Sequence, residues 1–459
     1  MAAGMMEKLY LELPLYLQNL LVSIKGLQLQ RIRTKGRYSY FLSQISDRKS
    51  WSKEQFDQYA IQELNAEIKE ILKKNEFYKD FYAVKGADFV ALESLEDLRK
   101  LPVVTKDVIR RAGRKALNFG VSNPIRVKTT GTTGTPLEIY CSEEDRQLNY
   151  AFFDEFLLSN NIDPKKKHVV IGGRILQKPE ARGPYWRHSF FQNSLLMSSY
   201  HLSDTNILAY IKKIIEYAPH YIESYPSSIY VLAKKMIEQR ITFKLDGVVT
   251  SAETLSTEHR ETIEAAFDCK IFDQYGCAEM SVFGAQCSKG KYHVRPDYAV
   301  VEILDDQWNP LPDGDLGNIV CTSLVNRTMP FLRYAMGDLG VMSPDDCDCG
   351  LNTPILTEVQ GRKDDIVYTK SGIPVGRLSP VLKGFNILMA QYIQQELGEL
   401  ELKIVPAEGF IAAEIPKIID EVCKRVGKDT CVDVNIVKEI PKGAGGKFKA
   451  VISKVVLKD

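Results

Sequence analysis

The residues best suited to chemistry lie in one short stretch, Thr129-Thr130-Gly131-Thr132-Thr133-Gly134-Thr135-Pro136. A loop built from threonine and glycine turns hydroxyls and backbone N–H groups toward one point, and phosphate oxygens suit such a nest. It is not a Walker A loop: no Gly-Lys-Ser/Thr closes it and no helix start follows. The same residues also read as a hydroxyl-rich hairpin turn. A second constellation is independent. Cys287, His293, Cys347 and Cys349 offer three thiols and one imidazole, the donor set of a closed tetrahedral Zn²⁺ site. Their spacing is not that of a zinc finger, and reduced, unlinked cysteines beside a turn are the competing reading.

These residues need elements to position them. Residues 125–128 and 137–140 alternate as strands on either side of the threonine loop. From about 120 to 360, strands and helices alternate. Apolar strands over 168–173, 221–225, 247–251 and 270–276 run into turns, and open α/β sheets bind ligands at such carboxyl ends. Beyond Tyr292 the strands at 300–304, 316–322 and 331–334 are split by Asp-Gly and proline turns, which predicts an antiparallel section. Residues 1 to about 120 read as a helical lead-in without recognisable chemistry. Phe56, Tyr59, Ile61, Leu64, Ile68, Ile71 and Leu72 recur near the helical period over 52–78, and Thr105 is placed to cap a further short helix. The final stretch predicts a hairpin around Ser371-Gly372, strands over 400–405 and 432–437, and a helix over 416–426 stopped by Gly427. The expected fold class is therefore α/β. A large N-terminal domain of mixed sheets with packed helices covers 1–361, and a small α+β domain covers 366–459.

Composition sets the outer bounds. At 459 residues, 44% apolar and 26% charged, the chain has ample core for more than one domain. A net charge of +1, with both signs interspersed, argues for neither nucleic acid nor an anionic membrane as partner. No apolar run is long enough to span a bilayer, and the N-terminus does not read as a secretory signal. Nine scattered cysteines fit a reducing, cytoplasmic setting better than a disulfide framework.

Six short motifs in order carry a resemblance. They are the threonine loop, Ser251-Ala252-Glu253, Tyr275-Gly276-Cys277-Ala278-Glu279, Gly337-Asp338, Gly361-Arg362-Lys363-Asp364-Asp365 and Gly446-Lys447. Together they resemble the adenylate-forming enzymes that include acyl-CoA synthetases, in the phenylacetate–CoA ligase and CapK-like branch. The resemblance runs from about Lys106 to the C-terminus. It implies ATP-dependent activation of a carboxylic acid through an acyl-AMP, then acyl transfer, most simply to the thiol of CoA. A carrier-protein thiol, or a sugar amine or hydroxyl in polysaccharide biosynthesis, is the alternative acceptor. A non-catalytic ATP-binding scaffold is the alternative of another class.

The resemblance also assigns roles. Thr129, Thr130, Gly131, Thr132, Thr133 and Gly134 would hold the ATP phosphates. Ser251, Ala252, Glu253, Asp273, Tyr275 and Gly276 would lie on the adenine side. Asp338 would hold the ribose, since an ionised carboxylate accepts from both hydroxyls, and Arg362 would be a second ribose or phosphate contact. Glu279 would hold Mg²⁺, a hard cation that takes carboxylate and phosphate oxygens. Residues 362–365, centred on Asp364, would be a hinge that makes the C-terminal domain mobile. Lys447, on a glycine-rich arm, would stabilise charge at the α-phosphate. Many relatives carry a lysine near the end of the phosphate loop, where Thr135 stands here. Members of the branch show a similar Cys…His…Cys-x-Cys arrangement. His201 and Tyr225 are weaker candidates for the acid pocket, and His201 also reads as a satisfied core histidine.

Overall fold

The computed structural model describes residues 9–86, 91–128, 137–178, 183–203, 205–362, 367–370, 374–375, 378–382, 385–441 and 448–455. The threonine loop, Asp364 and Lys447 lie outside the described residues, as does the side chain of Arg362.

Helices α1 (Leu15–Thr34) and α2 (Tyr38–Asp47) open the chain. Ser52 starts α3 (Lys53–Lys74) with a capping box to Gln55. The long amphipathic run then divides, because Asn75 ends α3 and its side chain caps α4 (Glu76–Lys85). Strand β1 (Val104–Thr105) leads into α5 (Lys106–Ala112); Thr105 occupies the N-cap position but its hydroxyl makes no capping bond. Hairpin β2 (Ile125–Lys128) and β3 (Glu138–Cys141) flanks the threonine loop, and α6 (Glu143–Ser159) follows behind a Ser142–Asp145 capping box.

The α/β part then unrolls: β4 (His168–Gly172), β5 (Trp186–Ser189), β6 (Ser194–Ser198), α7 (Ile207–Tyr217), β7 (Tyr221–Ser224), α8 (Pro226–Glu238), β8 (Gly247–Ser251), α9 (Thr257–Phe267) and β9 (Ile271–Gly276). An antiparallel section follows in β10 (Phe283–Gln286), β11 (Tyr292–Val294), β12 (Ala299–Leu304), β13 (Leu316–Ser323), β14 (Tyr334–Met342) and β15 (Ile355–Arg362). The strands form one sheet in the order β12-β13-β14-β15-β11-β10-β9-β8-β7-β4-β6-β5, with β1 beside β14. Strands β9, β8, β7, β4 and β6 are parallel, so their carboxyl ends share one edge. Val169, Ile171, Ile222 and Val248 pack on α7, α8 and α9, while Phe152 and Phe156 of α6 cover the other face with Tyr221, Val249 and Phe272. Helices α3 and α4 pack on the antiparallel section.

One strand differs from expectation. The element placed at 331–334 begins at Tyr334 and continues to Met342. Arg333 sits at φ +40°, with its guanidinium on Glu302 and the Leu101 carbonyl, and this turns the chain just before the strand. Gly337-Asp338 thus lies inside β14.

From Val367 onward a separate sheet forms. Strands β16 (Val367–Tyr368) and β17 (Pro374–Val375) pair as the expected hairpin. Strands β18 (Ile387–Gln394), β19 (Glu399–Pro406), β20 (Cys431–Ile436) and β21 (Val451–Ser453) follow in the order β20-β19-β18-β21. Helix α10 (Ile415–Val426) buries Ile418, Val422 and Val426 against Leu402, Ile404 and Tyr392. It ends at Gly427, whose φ of +103° favours glycine. Among the described residues no helix is long and apolar enough to cross a membrane.

Candidate functional site

The site grows from the shared carboxyl edge of the parallel strands. Strand β9 delivers Tyr275, whose hydroxyl donates to Asp338 Oδ2 at 2.7 Å. Asp338 stands mid-strand in β14, and the ladder places Arg362 directly opposite it on β15. Burial and the neighbouring Asp338 carboxylate drive the Tyr275 hydroxyl well above its ordinary range, so it stays protonated and keeps donating. An ionised Asp338 carboxylate is an acceptor of the kind that holds a vicinal diol.

Glu279 follows on the turn after β9 and is buried. Its Oε1 is 3.3 Å from Lys106 Nζ and 3.3 Å from the Tyr334 hydroxyl, while Asn326 Nδ2 donates to its backbone carbonyl. Both side-chain donors meet one oxygen, and Oε2 has no protein donor among the described residues. A buried carboxylate held from one side and open on the other suits a cation or a phosphate-bound water. Lys106 was missed by sequence reading, which saw no chemistry in the lead-in. It opens α5, and β1 beside β14 carries it to the site. Nothing in its local pattern signals this.

Strand β8 ends in Ser251-Ala252-Glu253. Ala252 sits at φ +71°, a strained conformation for alanine. Glu253 Oε2 accepts from Ser227 N at 3.0 Å at the start of α8, and Oε1 accepts from Phe448 N at 2.7 Å. The residue after Lys447 is thus docked at the carboxyl edge. The Ser227 and Ser228 hydroxyls beside it are buried with no partner among the described residues. Tyr225, at the end of β7, is held to the Gly173 backbone and lies near Arg174 and Glu253.

Two expected residues are not brought to this surface. Asp273 is only 5% exposed, and its carboxylate accepts from Thr250 and, at 2.6 Å, from Tyr292. Burial pushes it up to about 6 against those bonds. It orders β8, β9 and β11 beneath Tyr275 and presents nothing to a nucleotide. His201 has both ring nitrogens occupied, by Ser198 Oγ and the Lys178 carbonyl at 3.1 Å each, and its ring stacks on Tyr185. It is a structural histidine.

At the opposite edge the four metal candidates converge. Their ligand atoms lie within 4.8 Å of one another. Cys287 Sγ is 3.9 Å from Cys347 Sγ, and Cys349 Sγ is 3.3 Å from His293 Nε2. Zn–S bonds of about 2.3 Å would set tetrahedral sulfurs about 3.8 Å apart, so the donors fit zinc. Thr353 Oγ1 lies 2.9 Å from His293 Nδ1 and leaves Nε2 for the metal. Burial holds His293 below its usual value, which favours the neutral, ligating form. All nine cysteines are free thiols.

Comparison with known proteins places this geometry. The CapK C-terminal domain family matches residues 367–454. Protein CapK of Staphylococcus aureus is 25% identical over 98% of this chain and 100% of its own length. The phenylacetate–coenzyme A ligase of Thermus thermophilus is 24% identical over 82% of this chain and 87% of its own. The chain is thus similar to CapK and to the phenylacetate–coenzyme A ligases over most of its length. A solved 2-hydroxyisobutyryl-CoA ligase in the postadenylation state, bound to 2-HIB-AMP, superposes with a TM-score of 0.71 at 20% identity, over 89% of this chain and 91% of that one. In the thioesterification state the same ligase gives 0.57 at 21% identity, over 88% and 91%. The fold is that of the adenylate-forming ligases.

Proposed function

We propose that this protein is an AMP-forming acid–thiol ligase. It joins a carboxylic acid to the α-phosphate of ATP, releases pyrophosphate, and transfers the acyl group from the acyl-AMP to CoA. The observation that carries the reading is the convergence of Tyr275–Asp338 and Lys106–Glu279 on one strand edge. One pair suits a ribose, and the other suits the phosphate end with its Mg²⁺. The ligase names of the relatives agree with it.

In this reading the Thr129–Pro136 loop, with Thr130 among its donors, holds the β- and γ-phosphates, and the acid enters beside Tyr225. Arg362 adds a second ribose contact, and Mg²⁺ at Glu279 neutralises the leaving pyrophosphate. The C-terminal domain closes for adenylation and turns about Asp364 for transfer. A carrier-protein thiol or a sugar amine or hydroxyl is the second reading of the acceptor. ATP–pyrophosphate exchange across a carboxylate panel, with and without CoA, tests the proposal. Exchange that depends on one acid, and AMP release that depends on CoA, are expected. ATP binding with no exchange for any acid would leave only the scaffold reading.

The Glu253–Phe448 contact gives a further expected result. Glu253→Gln keeps one acceptor for two N–H groups and removes the charge. A charge-assisted hydrogen bond contributes about 1.5–3 kcal/mol, so adenylation should slow by about tenfold or more. Consumption of supplied acyl-AMP should hardly change, because the arm leaves this position for transfer. Equal losses in both half-reactions would show that Glu253 only supports the fold.

A further inference from the structure

Helix α1 is turned inside out. Its buried residues are Gln18, Ser23 and Gly26. They serve β5, the outermost strand of the large sheet. Asn19 Oδ1 accepts from His188 N at 3.0 Å, Ser23 Oγ donates to the His188 carbonyl and accepts from Phe190 N, and Gln18 Oε1 accepts from Arg187 Nε at 2.6 Å. Gly26 allows the approach, since a Cβ there would stand 2.3 Å from Ser189 Oγ. The polar face thus caps the unpaired sheet edge.

The consequence is an apolar outer face. Tyr16 is 70% exposed, and Leu20, Leu21 and Ile24 are 43–52% exposed. Phe190 and Phe191, on the turn that α1 grips, are 64% and 52% exposed. A patch of this kind on one flank of a soluble fold marks an interaction surface.

Charge names the occupant. Between Leu13 and Ser46 the chain carries Lys25, Arg31, Arg33, Lys35 and Arg37 and no acid, although its overall charge is only +1. Lys25, Arg31 and Lys35 are exposed. A second basic run, Lys165-Lys166-Lys167, reaches the same flank from another part of the chain: Asn193 Nδ2 donates to the Lys165 carbonyl two residues beyond Phe191. All three lysines are exposed, and Lys166 is shared with Asp246. Leucine, isoleucine and aromatic side chains framed by lysine and arginine are the composition of a surface that lies in a bilayer interface.

We propose that this flank, centred on Tyr16, Leu20, Ile24, Phe190 and Phe191, docks the protein peripherally on an anionic lipid bilayer. The inference does not rest on the ligase reading. The full chain is to be sedimented with vesicles of phosphatidylcholine alone and with about a third phosphatidylglycerol. Strong partition into the anionic vesicles, weakened by salt, is expected, with little into neutral ones. Tyr16→Ser/Leu20→Ser/Ile24→Ser should weaken it by tenfold or more, and Phe191→Ser, outside the helix, should weaken it too. Lys25→Gln/Lys165→Gln should weaken it while leaving the melting temperature unchanged. No partition of the wild type into anionic vesicles, or unaltered partition of both apolar variants, overturns the proposal. So does a concentration-dependent dimer that the triple variant converts to monomer, which would assign the face to a second copy of the chain.

Discussion

Lys447→Ala is expected to slow pyrophosphate release from acid plus ATP by about 10²–10³-fold, the usual effect of removing one donor aimed at developing transition-state charge. As acid oxygen meets α-phosphorus, negative charge moves onto pyrophosphate, and the threonine loop has no lysine to meet it. Phe448, the residue after Lys447, is held at the carboxyl edge by Glu253. A second cation, Lys106, is already in the site, paired with Glu279. The two lysines are separable by assay. Lys106 belongs to the large domain, so Lys106→Met should weaken ATP binding and alter the Mg²⁺ requirement. Lys447→Ala should leave ATP binding nearly intact and let supplied acyl-AMP reach the acceptor at the wild-type rate. Wild-type pyrophosphate release by Lys447→Ala would overturn its assignment, and closure of the C-terminal domain would then rest on the Glu253–Phe448 contact and the hinge proposed at Asp364.

What the sequence made legible follows from what is local. Strand-to-turn units such as 247–253 and 270–276 announce themselves by apolar runs ending in small or polar residues, and their carboxyl ends are where the structure gathers Glu253, Tyr275 and Glu279. The Cys/His set was legible because thiols are scarce, and it converges across two strand connections. Lys106 was not legible, because its partner is 173 positions away and a lysine in the first turn of a short helix has no pattern. Asp273 misled for the opposite reason. It stands two residues before Tyr275 on the same face of β9, yet Thr250 on β8 and Tyr292 on β11 close over it.

Purified protein is expected to hold about one zinc per chain, and Cys347→Ser to lose it. Cys287 follows β10, His293 is on β11, and Cys347 and Cys349 lie between β14 and β15, so the metal would tie two connections at the amino edge of the sheet. Without a cation the thiols crowd one another. Burial first, and then the Cys347 and Cys287 sulfurs, push Cys349 up to about 12, so a positive charge is needed to make it a ligand. A metal at a hundred times its dissociation constant stabilises by about 2.7 kcal/mol, and at roughly 1 °C per kcal/mol for a chain of this length its loss should lower the melting temperature by about 3 °C. The effect on ATP should be smaller. Gly284 pairs with Tyr275, and Cys287 is three residues further along, about 10 Å from the nucleotide edge. Cys347→Ser should therefore lose stability before it loses nucleotide affinity, and added zinc should restore neither. Metal-free protein with an unchanged melting temperature would show that the four residues are ordinary reduced side chains. A fall in ATP affinity as large as the fall in stability would mean that β14 and β15 transmit the metal's hold to Asp338.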